Sequence, residues 1–356
     1  MEVDPHAAYI NARIRGKRSQ LLTRNQFEQL LDQDDLQAVV DFLLASTYET
    51  DMAEALTQYE GADAVEEAVS RNVVRTLQHI LKMTQEDYRR MAGLFLVRWD
   101  LIAVKSLLRL RHHGIDAASG PDAGAGDLFP GPTLTVALQN DLAQRDSMES
   151  LVGGLAAWNS ELCGVLVDRL GAYQEGNDLS VLEDALDRNY FVNTVRKLEG
   201  SEDPNAAIVR KTLRMEIDRM NLRTVFRYIG SDLTPEYLEQ RLLPQGLVSL
   251  DTLRQMAAAR NAEQAMEFLG GTAYSSLVER LYEYVQSGKF SPFERLFEHM
   301  LLDELRKESR QQVFSLALFM HYAWLKYNEV LNLRMLARGE ARHLPRGRIR
   351  EEMLYA

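Results

Sequence analysis

Residues 215–228 read MEIDRMNLRTVFRY. Leu222, Val225, Phe226 and Ile229 fall at i, i+3, i+4 and i+7, the period of one helix face, while Arg219, Arg223 and Arg227 lie off that stripe. Asp218 stands one turn before Leu222, which sets a carboxylate on the buried edge of the helix. The same arrangement occurs twice more. Asp100 leads into Ala103-Val104-Lys105 and Arg109, and Glu329 leads into Asn332-Leu333-Arg334 and Arg338. The three acids are spaced by 118 and 111 residues. One helical unit used three times explains the spacing.

A second set of acids supports the same period. Val65-Glu66-Glu67-Ala68-Val69, Leu182-Glu183-Asp184-Ala185-Leu186 and Phe293-Glu294-Arg295-Leu296-Phe297 precede the first set by 34, 35 and 35 residues. The first and third units also share a front end, in which Phe42-Leu43 before Thr47-Tyr48 echoes Phe268-Leu269 before Thr272-Ala273-Tyr274. A period above one hundred residues is far longer than the roughly 34–47 residues of tetratricopeptide or HEAT-type units. The expected organisation is therefore three helical domains, over 1–120, 121–233 and 234–356.

Alternating strand patterns are almost absent, and the 21 glycines and 9 prolines fall between long helical segments, so the expected fold class is all-α. Asp203-Pro204, Thr234-Pro235 and Ser291-Pro292 each place a capping side chain before a proline at a helix start. Gly114 to Pro132 carries small residues without a period and reads as a linker. Arg338 to Ala356 reads as an arginine-rich tail.

Composition narrows the function classes. The chain has 356 residues, an apolar share of 46%, a charged share of 26% and a net charge of −11, which argues against a dedicated nucleic-acid binder. Its one cysteine, Cys163, allows no internal disulfide and no cysteine-based metal site. Apolar runs such as Val313 to Met320 are too short to span a bilayer, and MEVDPHAAYI has no basic-then-apolar signal pattern. These features lead to the expectation of a cytoplasmic-type protein.

Catalytic and cofactor motifs fare poorly. Asp32-Gln33-Asp34-Asp35 fits the acidic pattern of some terpene cyclases, yet an acidic turn capping the helix from Leu36 accounts for it. Glu340-Ala341-Arg342-His343 has the spacing of one half of a bundle di-metal site but no second pair. His112-His113 sits at a helix end, where imidazolium suits the dipole. Gly288-Lys289 is followed by Phe290 rather than Ser or Thr, so no phosphate loop is present. No catalytic residue, metal ligand or cofactor is expected.

The repeated acids admit two readings. In one, Glu66, Glu183, Glu294, Asp100, Asp218 and Glu329 form a ring of carboxylates handling protons or cations. In the other, each pairs with a repeated base, Lys105, Arg223 or Arg334, and pins two helices within its unit. Equal repetition in every unit favours the structural pairing. The bases of the first helix, Arg13, Arg15, Lys17 and Arg18, and of the tail, Arg346, Arg348 and Arg350, form either a solvated face or a docking patch for an acidic partner or anionic surface.

Taken together, Tyr9-Ile10-Asn11-Ala12-Arg13-Ile14-Arg15, Leu21-Leu22, Thr47-Tyr48, the acid-to-Asn-Leu-Arg helices at 218–223 and 329–334, and Leu333 to Arg338 with Leu344-Pro345 and Glu351-Glu352 resemble the C subunit of archaeal and bacterial A/V-type rotary ATPases, the relative of the d subunit of eukaryotic V-ATPases. Ala103-Val104-Lys105 departs from the Asn-Leu-Arg pattern. The resemblance implies three similar helical domains in pseudo-threefold arrangement, forming a funnel. It implies a non-catalytic rotor-stalk adaptor on the cytoplasmic side of the membrane, between D/F-type shaft subunits and the membrane proteolipid ring, with no cofactor, nucleic acid or membrane span of its own. An independent all-α scaffold and an all-α prenyl or terpene-type enzyme are the alternative readings.

Overall fold

The computed structural model describes residues 5–33, 35–115, 131–229, 231–280 and 290–355. Most of the Gly114–Pro132 linker, Asp34 and the Gly288-Lys289 pair lie outside them. Every regular element among the described residues is helical, so the chain is all-α. In chain order the helices are α1 (Pro5–Arg18), α2 (Arg24–Gln33), α3 (Leu36–Leu44), α4 (Glu49–Ala55), α5 (Gly61–Lys82), α6 (Glu86–His112), α7 (Val136–Ala143), α8 (Met148–Trp158), α9 (Ser160–Gly176) and α10 (Ser180–Asp187). They continue with α11 (Asn193–Lys197), α12 (Pro204–Tyr228), α13 (Pro235–Arg241), α14 (Leu250–Ala257), α15 (Ala262–Glu267), α16 (Phe290–Gln311), α17 (Ala317–Ala341) and α18 (Arg346–Glu352).

Local chemistry accounts for many of the ends. Asp203 and Thr234 cap α12 and α13 through the backbone N–H groups of Asn205 and Tyr237, each ahead of its proline. Asp35 caps α3 by accepting from Gln37 N at 2.9 Å, which gives the acidic turn its role. Ser291-Pro292 lies inside the described part of α16 rather than ahead of it. A π turn at Arg188–Val192 joins α10 to α11 in continuous helical backbone and buries Tyr190, Phe191 and Val192. The arginine-rich tail is not extended but contains the short helix α18.

The chain divides into two compact units, one comprising Met1–Leu151 with Glu308–Ala356, the other Val152–Lys307. In the first, α17 packs against α5, α1 and α3, so the last long helix in sequence serves the N-terminal segment. All residues of α17 from Ala317 to Val330 are buried, as expected of a helix covered on every side. Phe95 and Trp99 of α6 meet Trp324 and Tyr327 of α17, with Trp99 stacked on Tyr327 at 4.0 Å. In the second unit, Leu222, Val225 and Phe226 of α12 enter a core with Leu238, Leu242, Val248, Leu253 and Phe293.

Candidate functional site

Three buried carboxylates organise the molecule, and what they hold differs from the sequence expectation. Lys105, Arg223 and Arg334 are the expected partners of all six repeated acids, including the three buried ones, Asp100, Asp218 and Glu329. Each of these three instead holds the backbone that enters another helix. Asp100 of α6 accepts from Thr133 N at 3.1 Å, Leu134 N at 2.8 Å and Thr133 Oγ1 at 2.7 Å. Asp218 of α12 accepts from Leu247 N and Val248 N at 2.8 and 3.1 Å and from the Tyr274 hydroxyl at 2.8 Å. Glu329 of α17 accepts from Leu22 N, from the Tyr48 hydroxyl at 2.6 Å and from Lys326 Nζ at 2.8 Å. The physical reason is coverage. A buried carboxylate requires donors, and at Asp100 and Asp218 loop N–H groups and hydroxyls supply them without desolvating a second charge, whereas Glu329 also draws on the buried Lys326.

The three joints share their chemistry around the acid. Leu134, Val248 and Leu22, whose N–H groups are held, are followed by Thr135, Ser249 and Thr23, each accepting from the backbone N–H three residues on. The carboxylate thus fixes the entry of α7, α14 and α2 one residue before its cap. Loop backbone must come close for this. A Cβ on Gly131 would stand 2.0 Å from Asp100 Oδ1, and one on Gly246 would stand 2.1 Å from Asp218 Oδ1.

A carboxamide clamp sits one turn beyond two of the acids. Asn221 donates to Leu243 O and accepts from Leu243 N, both at 2.8 Å. Asn332 donates to Leu354 O at 2.7 Å and accepts from Leu354 N at 3.0 Å. Ala103 at the corresponding place in α6 has no amide to offer. The tyrosine turns also match. Ser46 and Thr272 bond back to Leu43 O and Leu269 O at 2.8 Å, and accept from Tyr48 N and Tyr274 N.

Burial pushes the Asp218 carboxyl up to about 6, opposed by the Tyr274 hydroxyl, the two loop N–H groups and Arg214. Burial likewise raises Asp100 against the pull of Leu134 and Thr133. The hydroxyls of Tyr48 and Tyr274 are raised by burial and by the neighbouring carboxylate, so both remain donors.

The earlier acids do meet bases, in helices other than those expected. Glu66 of α5 faces Arg334 at 3.3 Å and Arg338, whose Nη2 is 2.8 Å away; both arginines belong to α17. Glu294 of α16 lies 2.7 Å from Arg223 of α12. Glu183 is half-buried in the first turn of α10, and Lys105 is half-buried on α6. Of the proposed contact bases, Arg13, Arg15 and Arg18 are exposed on α1, and Lys17 is half-buried, its pKa lowered by burial and by Lys326, Arg13 and Arg75. Arg348 is exposed and Arg346 half-buried, while Arg350 pairs with Glu28 at 2.8 Å and approaches Asp32 at 3.7 Å.

A groove of about 730 Å³ runs along α6 and α17, lined by Trp99, Ile102, Leu331, Met335 and Leu344, with Arg109 and Arg342 among its basic residues. Ile102, Leu331 and Leu344 are large apolar side chains left exposed. No group of three metal-ligating side chains occurs among the described residues. No helix among the described residues is long and apolar enough to cross a membrane.

The described residues thus form an all-helical chain whose long helices are tied to loop backbone by buried carboxylates. Residues 10–352 match the family described as ATP synthase (C/AC39) subunit, and the chain belongs to that family. It is 25% identical over 335 residues to the A-type ATP synthase C subunit of Methanothermobacter thermautotrophicus, covering 94% of this chain and 83% of the relative. It is 24% identical over 349 residues to the C subunit of the Methanocaldococcus jannaschii A-type ATP synthase, with 98% and 86% covered. The corresponding protein of Haloquadratum walsbyi is 25% identical over 352 residues, with 97% of each chain covered.

Proposed function

We propose that the chain is the non-catalytic adaptor of an A/V-type ATP synthase, coupling the D/F-type central shaft to the membrane proteolipid ring on the cytoplasmic side. The observation that carries this reading is the set of three joints. Buried carboxylates at Asp100, Asp218 and Glu329 tie long helices to segments distant in sequence, which suits a stiff, load-bearing part. Each of the three carboxylates accepts from three fixed donors, which suits a structural role. The names of the relatives and the absence of a spanning helix among the described residues agree with a peripheral component. The three sequence repeats, 1–120, 121–233 and 234–356, are proposed as three similar domains of a funnel.

The groove along α6 and α17 is the proposed seat for the shaft, because its exposed apolar residues and arginines suit an amphipathic acidic helix. The exposed α1 bases, Arg13, Arg15 and Arg18, are proposed as a second contact, with Arg348 beside them in kind; Arg350 is already engaged by Glu28. Reconstitution tests the proposal. Purified chain should bind both a proteolipid ring and the shaft proteins, and its removal should uncouple ATP turnover from ion movement. Failure to bind either partner, or intact coupling without the chain, refutes it.

A further inference from the structure

The joint at Glu329 differs from the one at Asp218 in how its two halves are connected. At Asp218 the chain runs unbroken from Leu243, clamped by Asn221, to Val248, held by Asp218. At Glu329 the clamped residue is Leu354, near one end of the chain, and the held residue is Leu22, near the other. The correspondence extends outward. Helix α18 stands 111 residues after α13, the same step that separates Glu329 from Asp218. Ile349 and Met353 occupy the buried places of Leu238 and Leu242. The front segments follow at one common step of 226, which relates Leu22 to Val248, Thr23 to Ser249, Leu43 to Leu269 and Tyr48 to Tyr274. Two segments 332 residues apart in sequence therefore rebuild a loop that is continuous elsewhere in the same molecule.

We infer that residues 346–355 are a releasable strap that locks the joint at Glu329 by bridging α17 to α2. On the α17 side the strap is held by the Asn332 clamp and by Ile349, whose Cδ1 lies 2.3 Å from where a Cβ on Gly339 would stand. On the α2 side Arg350 bonds Glu28 at 2.8 Å, Tyr355 bonds Glu28 at 3.2 Å, and Arg24 lies 5.0 Å over the Tyr355 ring. Phe27 meets the same ring edge-on at 6.2 Å. Only Ile349 and Met353 of the strap are buried apolar residues, so its local opening is far easier than unfolding of the unit beneath it. The joint itself carries a compensating contact. Lys326 reaches both Glu329 and the Tyr48 hydroxyl at 2.8 Å and lies 4.1 Å from the Tyr48 ring centroid. The Glu329 joint thus has a reversible closure where the Asp218 joint has a permanent one.

Hydrogen exchange by mass spectrometry on the full chain tests this, with Gly339→Leu as the wedge. Leucine there occupies the seat of Ile349 and lifts the strap without altering any residue of the joint. Peptides covering 19–24 and 46–52 should then exchange at least tenfold faster, while 241–249 and 272–276 stay unchanged. Faster exchange confined to 346–355 would reduce the strap to an ordinary frayed end and overturn the inference, as would no change in any peptide. Should Gly339→Leu fail to fold, the native protein in sub-denaturing urea supplies the second measurement. Peptides 19–24 and 350–355 should share one urea dependence, distinct from that of 241–249; separate dependences for the two ends, or one shared by all three, overturn it.

Discussion

The Tyr48 hydroxyl donates to Glu329 at 2.6 Å across 281 residues of chain. Tyr274 and Asp218 repeat the relationship at 2.8 Å across only 56 residues. Both rings are buried, and in both cases the hydroxyl shares its acceptor with the N–H that opens a helix. Tyr48→Phe and Tyr274→Phe should each destabilise their own unit by about 1–3 kcal/mol, the usual cost of leaving a buried acceptor short of a donor. Urea unfolding followed by tryptophan fluorescence checks the first, since Trp99 and Trp324 lie in the unit that Tyr48 serves. Tyr48→Phe should cost the more of the two, because Lys326 loses the same hydroxyl.

The Asp218 carboxyl gives the Val152–Lys307 unit a pH dependence of known sign. Its folded pKa, raised to about 6, lies above the ordinary value near 3.8. The associated stability is complete below the ordinary value and is lost as pH rises through about 6. Between pH 5 and pH 7 the loss amounts to about 1 kcal/mol. Asp218→Asn cannot titrate, so the stability difference between native protein and variant should narrow by that amount over this range. Equal differences at both pH values would show that the group does not titrate there.

The two ion pairs should separate cleanly by burial. Arg334 is 8% exposed, and Glu66→Gln would remove the buried carboxylate charge that faces both Arg334 and Arg338, at a cost of about 3–5 kcal/mol. Arg223 is 39% exposed, and the Glu294→Gln change should cost about 1 kcal/mol or less. Thermal or urea denaturation of both variants at two salt concentrations decides the matter, since only the exposed pair is screened.

Gly246→Ala places a methyl group 2.1 Å from Asp218 Oδ1, and Gly131→Ala places one 2.0 Å from Asp100 Oδ1. Each should cost about 1–3 kcal/mol, the range for overpacking a closed site. Gly153→Ala, where a Cβ meets nothing within 4 Å, is the control and should be neutral or mildly stabilising within its helix. Circular dichroism melts of the three variants provide the comparison.

The helical class and the triple recurrence of acids were legible because both are local signals repeated at a fixed step. The partners of Asp100, Asp218 and Glu329 were not, since a loop N–H leaves no residue type behind to identify it. Two indirect marks existed, namely a Ser or Thr cap immediately after the held residue and Gly131 or Gly246 just before it. The helix α18 escaped notice because seven residues with one apolar position cannot display a period, and its arginines read as a solvated tail. Comparison with α13 at the established step of 111 would have exposed it. The reach of α17 back to Leu22 and Tyr48 had no local signature at all.

That reach sets a timetable for synthesis. The Asp218 joint has all its parts once Tyr274 has been made, so the internal unit can close this connection while the chain is still growing. Leu22 and Tyr48 must wait for Glu329, an interval of 281 residues after Tyr48, or roughly 14–56 s at ordinary translation rates of about 5–20 residues per second. Throughout that wait the segment of Leu22 and Tyr48 lacks the helix that covers it in the native protein. A chain truncated after residue 307 would contain the whole Val152–Lys307 unit while the segment of Leu22 and Tyr48, lacking Glu329, remains open to chaperones or to aggregation.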